Sequence, residues 1–316
     1  MPASDLLRNT LLQLAKSNAV RDVIVAAPVS RTVVKRFVAG SRTEDAVRAA
    51  ADLAATARMV TIDYLGEDTH DIERARATRD SYINLLGALA DAGLSQDGKA
   101  EVSLKLSALG QALPGDGERI AIEHAQQICQ AARNAGTTVT LDMEDHTTTD
   151  RTLEALRTLR MDFPTTGGVL QAYLKRTEAD CRDLAGEGSR IRLCKGAYKE
   201  PESVAYQSRS DVDKAFVRCL KILMEGQGYP MVASHDPRIV EIAGALAARG
   251  GRSTKSFEYQ MLFGIRPEEQ KRLADRGDQV RVYIPFGEEW YGYLMRRMAE
   301  KPANAMFFLR GLAGQS

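Results

Sequence analysis

TTVTLDMEDHTTTDRTLEALRTLRMDFPTTGGVLQ, residues 137–171, contains two short apolar runs that are separated by a longer segment with helical periodicity. The runs TTVTLDM and GGVLQ have the length and composition of strands. The segment from Thr149 to Leu159 has the spacing of apolar residues that is typical of a helix. Because strands that are joined through a helix run parallel, this stretch predicts a parallel βαβ unit.

The same alternation continues from residue 56 towards the C-terminus and yields eight candidate strands. They are MVTIDYL from Met59, EVSLKLS from Glu101, TTVTLDM from Thr137, GGVLQAY from Gly167, RIRLCKG from Arg190, YPMVAS from Tyr229, SFEYQML from Ser256 and QVRVYIP from Gln279. The candidate helices are His70 to Ala92, Gly117 to Ala135, Thr149 to Leu159, Ser203 to Glu225, Pro237 to Ala248, Pro267 to Ala274 and Glu288 to Glu300. Eight such units can close into an α/β fold of the (βα)8 TIM-type barrel class, and a doubly wound open sheet is the alternative.

The sequence predicts one barrel domain. No Pro/Ser-rich linker, low-complexity tract or composition shift occurs after residue 55, so we expect a helical N-terminal extension over residues 1–55 and a catalytic barrel over residues 56–316. Active sites of such barrels lie at the C-terminal ends of the strands. The polar residues expected at those ends are Asp63, Glu67, Lys105, Asp142, Gln171, Arg192, Lys195, Ser234, His235, Glu258, Gln260 and Tyr283.

Composition narrows the class of protein. With 43 Lys+Arg, 42 Asp+Glu and a net charge of +1, the chain is not expected to bind nucleic acid. Cys129, Cys181, Cys194 and Cys219 are scattered without a CxxC pair, so neither a disulfide framework nor a zinc site is expected. No uncharged apolar run reaches about 18 residues, the length of a membrane-spanning helix. These features predict a cytoplasmic enzyme that acts on a small molecule.

The segment RLCKGAY leaves the fifth candidate strand through Lys195 and Gly196. Glycine lets the backbone approach a ligand closely and the basic side chains supply positive charge, so this turn is a candidate pyrophosphate cradle. The alternative is an ordinary strand-to-helix turn with a surface lysine. No GxGxxG follows a candidate strand, so a dinucleotide would be held differently from one in a Rossmann fold.

The run YLMRRMAE places two adjacent arginines, Arg296 and Arg297, in the last candidate helix. Neighbouring residues on a helix point about 100° apart, so the two guanidinium groups can converge only on a ligand at the edge of the helix. Tyr293 precedes both by one turn, and Glu300 follows at a spacing that allows it to orient a guanidinium. Two guanidiniums suit a carboxylate ligand, whereas the alternative is a solvated basic face.

Two further polar features each have more than one interpretation. His235, within SHD, is a candidate general base, metal ligand or simple hydrogen-bonding residue. No second histidine lies at metal-binding spacing, so no metal site is expected. Lys105 and Asp142 end the second and third strands, where they either form a structural ion pair or share a polar pocket for a charged substrate.

The stretches DYLGED, SLKLSAL, LDMED, RLCKGAY, SHD, FEYQMLFG, VRVYIPFG and YLMRRMAEKPAN follow one another in this order within residues 30–310. In this order they resemble the proline dehydrogenase family, in particular its monofunctional bacterial members and the dehydrogenase domain of bifunctional proline-utilisation proteins. The resemblance implies a distorted (βα)8 barrel that binds FAD, oxidises L-proline to 1-pyrroline-5-carboxylate and passes electrons to a membrane quinone. It also implies a cytoplasmic protein that associates peripherally with the inner face of the membrane, and a pyrroline-5-carboxylate dehydrogenase as a partner.

The resemblance also implies roles for individual residues. The substrate carboxylate would be bound by Arg296, Arg297 and Lys105, and the proline ring would be lined by Tyr283, Tyr293 and Leu193. Asp142 would lie beside the ring site and Arg192 beside the reactive nitrogen of the flavin, and Glu67 is similar to an acidic gate residue that pairs with an arginine. The remaining flavin contacts would be the backbone of Met143, Gln171, Cys194, Lys195, Gly196, Ala197, Ser234, His235, Glu258 and Phe307.

Two positions depart from the family pattern. Lys199 stands where some relatives have an aromatic residue against the adenine, and Cys194 stands where valine is frequent. Two other functional classes stay open: a cofactor-free aldolase or lyase that uses Lys105 or Lys195 as a Schiff-base amine, and a noncatalytic module that binds an amino acid or a flavin. If the family pattern holds, Tyr283 would crowd a hydroxyl group on the ring, and proline would be preferred over hydroxyproline.

Overall fold

The structure is a computed structural model that describes the backbone of residues 34–300 and the side chains of residues 34–295. Its strands are β1 (Met59–Tyr64), β2 (Ala100–Leu104), β3 (Val139–Leu141), β4 (Gly167–Gln171), β5 (Arg190–Cys194), β6 (Tyr229–Ala233), β7 (Glu258–Leu262) and β8 (Val280–Phe286). They form a closed parallel barrel in chain order, and β8 pairs with β1 along its whole length. The predicted barrel is therefore confirmed. The open-sheet alternative is wrong, because an open sheet would leave β1 and β8 unpaired with each other.

Helices surround the barrel. They are α1 (Thr43–Ala54), α2 (Ile72–Asp91), α3 (Gly117–Asn134), α4 (Thr149–Asp162), α5 (Thr177–Leu184), α6 (Arg209–Glu225), α7 (Pro237–Arg249), α8 (Pro267–Asp275) and α9 (Trp290–Glu300). All seven helices named from the sequence are present, and α5 adds the helix between β4 and β5. Among the helices of the described part of the chain, none is both long and apolar enough to cross a membrane.

Capping residues decide where several helices begin. The Asp71 carboxylate accepts a hydrogen bond from the Glu73 amide at 2.7 Å and starts α2. The Ser208 hydroxyl accepts from the Asp211 amide at 3.1 Å and starts α6. The predicted start of this helix at Ser203 was therefore wrong, because the chain from 203 to 207 forms a loop before the cap.

The wall of the barrel beside β1 and β8 is covered by α1, through the buried side chains of Ala46, Ala50 and Leu53. A regular barrel would place the helix that follows β8 in this position. The described part of the N-terminal segment thus packs on the barrel, and the division at residue 55 stays a prediction. Two apolar clusters complete the outer packing, one around α1 to α4 and one around α4 to α8.

Charged side chains fill part of the barrel interior. Glu101 is fully buried and accepts a hydrogen bond from Arg190 at 2.7 Å. Burial alone would raise the pKa of the Glu101 carboxyl, but Arg190, Arg281 and Arg192 outweigh burial and lower this pKa to about 2. This buried carboxylate therefore stays ionised and ties β2, β5 and β8 together across the interior.

Glu258 lies in this interior network and begins β7. Arg281 Nε donates to Glu258 at 2.7 Å, and the Tyr229 hydroxyl donates to it at 3.1 Å. The expectation that Glu258 lies at the C-terminal end of its strand was wrong, because a turn from Ser253 to Ser256 delays the start of the strand. The remaining expected strand-end residues are considered at the rim below.

Candidate active site

Four polar side chains meet at one end of the barrel: Asp63, Lys105, Asp142 and Tyr283. Asp63 is 1% exposed, and the other three are buried or half-buried. The predicted place at the C-terminal rim is confirmed for Asp63, Lys105 and Asp142, which lie at the end of their strands or directly after it. For Tyr283 the prediction was wrong, because this residue lies in the middle of β8 and reaches Asp142 through its hydroxyl at 2.8 Å.

An ion pair joins β1 to the segment that follows β2. Lys105 Nζ lies 2.8 Å from Asp63 Oδ2 and 3.0 Å from Asp63 Oδ1. Burial would lower the pKa of the Lys105 ammonium, but Asp63 and Asp142 outweigh burial and raise it well above its usual value. For Asp63, burial outweighs the attraction of Lys105 and raises the pKa of the carboxyl. The pair is ionic, because the lysine holds its proton much more strongly than the carboxylate does.

A second cluster is centred on Asp142. Its Oδ1 accepts from Arg192 Nη1 at 2.6 Å and from Ser103 Oγ at 2.9 Å. Its Oδ2 accepts from the Tyr283 hydroxyl at 2.8 Å. Burial, together with Asp142 and Asp63, raises the pKa of Tyr283 well above its usual value, so this hydroxyl stays protonated and donates. Lys105 and Asp142 are therefore paired with different partners.

The guanidinium of Arg192 is oriented by residues of β7 in the barrel interior. Its Nε donates to Gln260 Oε1 at 2.6 Å, and Gln260 Nε2 donates to Glu258 at 2.5 Å. Its Nη1 also donates to Ser103 Oγ at 2.9 Å, and the group lies 5.2 Å from the centre of the Tyr283 ring. Arg192 Nη2 is buried and has no hydrogen-bond partner within residues 34–295. This atom lies 3.9 Å from Glu101 Oε1 and so faces the buried carboxylate of the barrel interior.

Ser103 was not predicted from the sequence, and Asp63 and Gln260 were expected at strand ends without a role assigned to either. A signal for them exists in the alternation of polar residues along each strand, because side chains two positions apart share a face. In β2 this face carries Glu101 and Ser103 and continues to Lys105, with apolar Val102 and Leu104 between them on the outside. A polar inner face in several strands predicts a polar barrel interior.

The turn after β5 carries the candidate pyrophosphate cradle. Gly196 has φ of +106°, and its α-carbon faces the ring of Tyr173 so closely that no side chain fits. Lys195 Nζ is paired with Asp213, and it lies 3.4 Å from Asp236 Oδ2. The ring of Tyr173 therefore fills the space beside Gly196, while the lysine is anchored towards α6 and α7.

The end of β4 adds a buried amide. Gln171 Nε2 donates to the carbonyl of Met143 at 3.4 Å, and Gln171 Oε1 has no hydrogen-bond partner within the described side chains. Near β7, His235 Nε2 accepts from the Leu262 amide at 2.9 Å, which requires a neutral His235 to carry its proton on Nδ1. His235 thus acts as a hydrogen-bonding residue that accepts through Nε2.

A third carboxylate, Glu144, lies in the loop after β3. Burial raises the pKa of Glu144 to about 7, while hydrogen bonds from Ser107 and the charge of Lys105 act in the opposite direction and Glu67 adds to the rise. In the described part of the chain, no group of three or more His, Cys, Asp or Glu side chains is placed to bind a metal ion.

Several predicted site residues lie elsewhere. Leu193 is buried in the outer apolar cluster between β5 and its neighbours. Tyr293 is buried in α9. The side chains of Arg296, Arg297 and Glu300 and the whole of Phe307 lie outside the described residues. The roles assigned to these residues stay predictions.

Comparison with known proteins identifies the family of this barrel. The sequence profile described as "Proline dehydrogenase" matches residues 46–310, which is most of the chain. The chain belongs to the proline dehydrogenase family. Within this family, it is 36% identical over 307 residues to "Proline dehydrogenase 1" of Bacillus subtilis (strain 168), covering 97% of this chain and 99% of the relative. It is 38% identical over 309 residues to the "Proline dehydrogenase" of Deinococcus radiodurans, covering 97% and 98%.

Solved structures agree with the fold of this proline dehydrogenase family member. The crystal structure of proline utilization A from Bdellovibrio bacteriovorus, inactivated by N-propargylglycine, matches with a TM-score of 0.80 and 23% identity. That of a Bradyrhizobium japonicum proline utilization A mutant matches with a TM-score of 0.73 and 21% identity over 95% of this chain and 34% of that one. The first match spans 99% of this chain but only 38% of that longer protein. These likenesses support the barrel fold alone.

Proposed function

We propose that the chain is an FAD-dependent proline dehydrogenase that oxidises L-proline to 1-pyrroline-5-carboxylate. Membership of the family is the first support. The observation that carries the proposal further is the rim itself, where the ammonium of Lys105 and the guanidinium of Arg192 flank the carboxylate of Asp142 and the ring of Tyr283. Such a site offers cations for a carboxylate and an aromatic face for a small ring.

The substrate carboxylate would be bound by Lys105 together with Arg296 and Arg297. Lys105 suits this role because its ammonium is buried, stays charged and is fixed by Asp63 through two oxygens. The ring would be lined by Tyr283 and Tyr293, whereas Leu193 packs in the outer apolar cluster. Glu67 would pair with one of the arginines as a gate, and Glu300 would orient a guanidinium.

The residues at the rim fit a flavin. Gln171 Oε1 is a buried acceptor without a hydrogen-bond partner within residues 34–295. Buried polar atoms of this kind are stabilised when a ligand pairs with them. The residues that would hold FAD are Arg192, Gln171, the backbone of Met143, Cys194, Lys195, Gly196, Ala197, Ser234, His235 and Phe307, whereas Glu258 lies at the start of β7 in the interior charge network. When bound, FAD supplies the hydride acceptor for the reaction.

The protein's own groups would prepare the substrate. Hydride leaves the ring carbon beside nitrogen most readily when the amine is deprotonated, and a site rich in lysine and arginine favours loss of the ammonium proton. Asp142 holds Arg192 and the Tyr283 hydroxyl in place through both of its oxygens. Fixing these groups before the substrate arrives lowers the entropic cost of reaching the reactive geometry.

The electrons would leave the site to a membrane quinone, and the chain would act in the cytoplasm in peripheral contact with the inner face of the membrane. The imine product is reactive, which suits a pyrroline-5-carboxylate dehydrogenase as a partner. The proline utilization A proteins that match the barrel are longer than this chain, and they motivate this part of the proposal.

A lyase that uses a lysine Schiff base is a weaker alternative. Such a lysine must be neutral to attack a carbonyl group. The pKa of Lys105 is raised by Asp63 and Asp142, and Lys195 is paired with Asp213. Lys105 is therefore held in surroundings that favour its charged form, and the Lys195 amine is engaged in an ion pair.

The visible spectrum of the purified protein, before and after anaerobic addition of L-proline, tests the proposal. A flavin band near about 450 nm that is lost on adding L-proline is the expected result. A flavin band that does not respond to proline would indicate that another cyclic amine is the substrate. A colourless protein that does not bind added FAD would contradict the proposal and reopen the lyase alternative.

A further inference from the structure

Two buried residues beside the proposed substrate site have no role in the chemistry above. Ser107 begins the short turn Ser107–Leu109, two residues after Lys105, and it is 6% exposed. Glu144 lies two residues after Asp142, in the loop that follows β3, and it is 8% exposed. Both therefore sit directly behind residues that would contact the substrate.

Ser107 binds the carboxylate of Glu144 with both of its donors. Its hydroxyl donates to Glu144 Oε1 at 2.6 Å, and its backbone amide donates to Glu144 Oε2 at 3.2 Å. This bidentate contact connects the loop after β2 to the loop after β3. It also fixes the direction of the hydroxyl proton, so that the lone pairs of Ser107 Oγ face the other way.

The acceptors of Ser107 hold a third loop, the one between β1 and α2. The Asp68 amide donates to Ser107 Oγ at 3.2 Å, and the Thr69 amide donates to the Ser107 carbonyl at 3.1 Å. Asp68 has φ of +49°, a left-handed conformation that costs a residue with a side chain free energy and persists only where its surroundings impose it. Glu67, the proposed gate residue, immediately precedes this fixed position.

We propose that Ser107 and Glu144 form a clamp, here called the Ser107 clamp, that fixes the β1–α2 loop so that Glu67 is presented at the rim. The clamp sets the affinity for the substrate by holding Glu67 in place before binding. This step rests on the proposed function, in which Glu67 pairs with a carboxylate-binding arginine. Ser107 is a positioning residue, because it acts through Glu67 and does not contact the substrate.

Amide hydrogen exchange tests the hold of the clamp on the loop without any assay of activity. In Ser107→Ala, the Asp68 amide loses its acceptor, and exchange over residues 66–70 is expected to rise about three- to tenfold, as the loss of one net hydrogen bond predicts. Glu144→Gln is the second variant, because it leaves the serine hydroxyl in place but removes one acceptor of the bidentate contact. It is expected to accelerate the same amides.

Ser95→Ala is the matched control. The Ser95 hydroxyl is buried, and it donates to the Ala135 carbonyl at 2.5 Å before β2 begins, at the opposite end of this strand from Ser107 and the β1–α2 loop. Exchange over residues 66–70 is expected to stay unchanged in this variant. Unchanged exchange in both Ser107→Ala and Glu144→Gln would overturn the clamp.

Steady-state kinetics test the route through Glu67. Ser107→Ala is expected to raise KM for L-proline about three- to tenfold with kcat within about twofold, since the clamp acts on binding. In a Glu67→Gln background the same substitution is expected to leave KM nearly unchanged, because the residue it positions is gone. An equal rise in KM in both backgrounds would overturn the route through Glu67.

The two levels of the proposal fail separately. A wild-type protein that does not oxidise proline would overturn the proposed function and the link to affinity, while hydrogen exchange would still decide whether the loop is clamped. Active wild-type protein with unaltered exchange in the variants would overturn the clamp and leave the proposed function in place.

Discussion

Replacing Lys105 by methionine leaves the Asp63 carboxylate buried without its ammonium partner. The two groups are joined at 2.8 and 3.0 Å, and Asp63 is 1% exposed. Removing one member of a buried ion pair typically costs about 3–5 kcal/mol, because the other charge stays desolvated. We therefore expect Lys105→Met to be much less stable than the wild type near neutral pH.

The cost should depend on pH in a defined direction. Without Lys105, burial and the charge of Asp142 raise the pKa of Asp63 further above its ordinary value of 3.8, and the carboxyl takes up a proton. A carboxyl whose pKa is raised in the folded state does not reduce the free energy of unfolding at pH values below its unfolded-state pKa. Above that value, the free energy of unfolding falls as pH rises. The loss grows by up to about 1.4 kcal/mol per pH unit, so Lys105→Met should be destabilised less near pH 5 than near pH 7.

Urea unfolding at the two pH values measures these costs. Asp63→Asn in the Lys105→Met background should recover most of the loss near pH 7, because the amide carries no charge to desolvate. Lys221→Met, on the exposed face of α6, controls for the loss of a lysine as such. The reasoning is refuted if Lys105→Met costs the same at both pH values, or if Asp63→Asn recovers nothing.

Three further changes follow from the same geometry. Burial raises the pKa of Glu144 to about 7, so the free energy of unfolding of the wild type relative to Glu144→Gln should fall by about 3 kcal/mol as pH rises from about 4.5 to about 8. Urea unfolding measures this difference, and a difference that does not change with pH would contradict the prediction. Gly196→Ala would place a β-carbon 2.3 Å from the Tyr173 ring at φ of +106°, so urea unfolding should show a loss of about 2 kcal/mol or more in the free energy of unfolding. The control Gly186→Ala, whose added β-carbon would meet nothing within 4 Å, should be nearly neutral. Tyr283→Ser should raise kcat/KM for hydroxyproline relative to proline, and no gain in that ratio would count against Tyr283 as the residue that crowds a ring hydroxyl.

The barrel could be predicted because its signals are local. Each strand is a short run bounded by turn residues, and the helices between the strands carry their own apolar periodicity. The starts of α6 and β7 were wrong by a few residues because a cap and the turn from Ser253 to Ser256 decide them. These contacts involve single hydrogen bonds that leave little trace in apolar periodicity.

The rim was predicted in part for a different physical reason. Strand ends of a parallel barrel share one face, so Lys105 and Asp142 could be placed together without knowledge of their contacts. Their true partners, Asp63 and Arg192, follow from the barrel's register, which joins residues 42 and 50 positions apart in the chain. No local pattern encodes such pairs. The polar alternation of β2 could have identified the inner face, but not which groups bond across it.

The position of hydride loss tests the central claim most directly. Rapid anaerobic mixing of the flavin-loaded protein with proline deuterated at C5, proline deuterated at C2 and unlabelled proline would follow the loss of flavin absorbance. If the chain oxidises proline to 1-pyrroline-5-carboxylate, deuterium at C5 slows this loss and deuterium at C2 leaves its rate unchanged. A slower rate only with C2 deuterium, or no loss of absorbance with any of the three, would contradict the account.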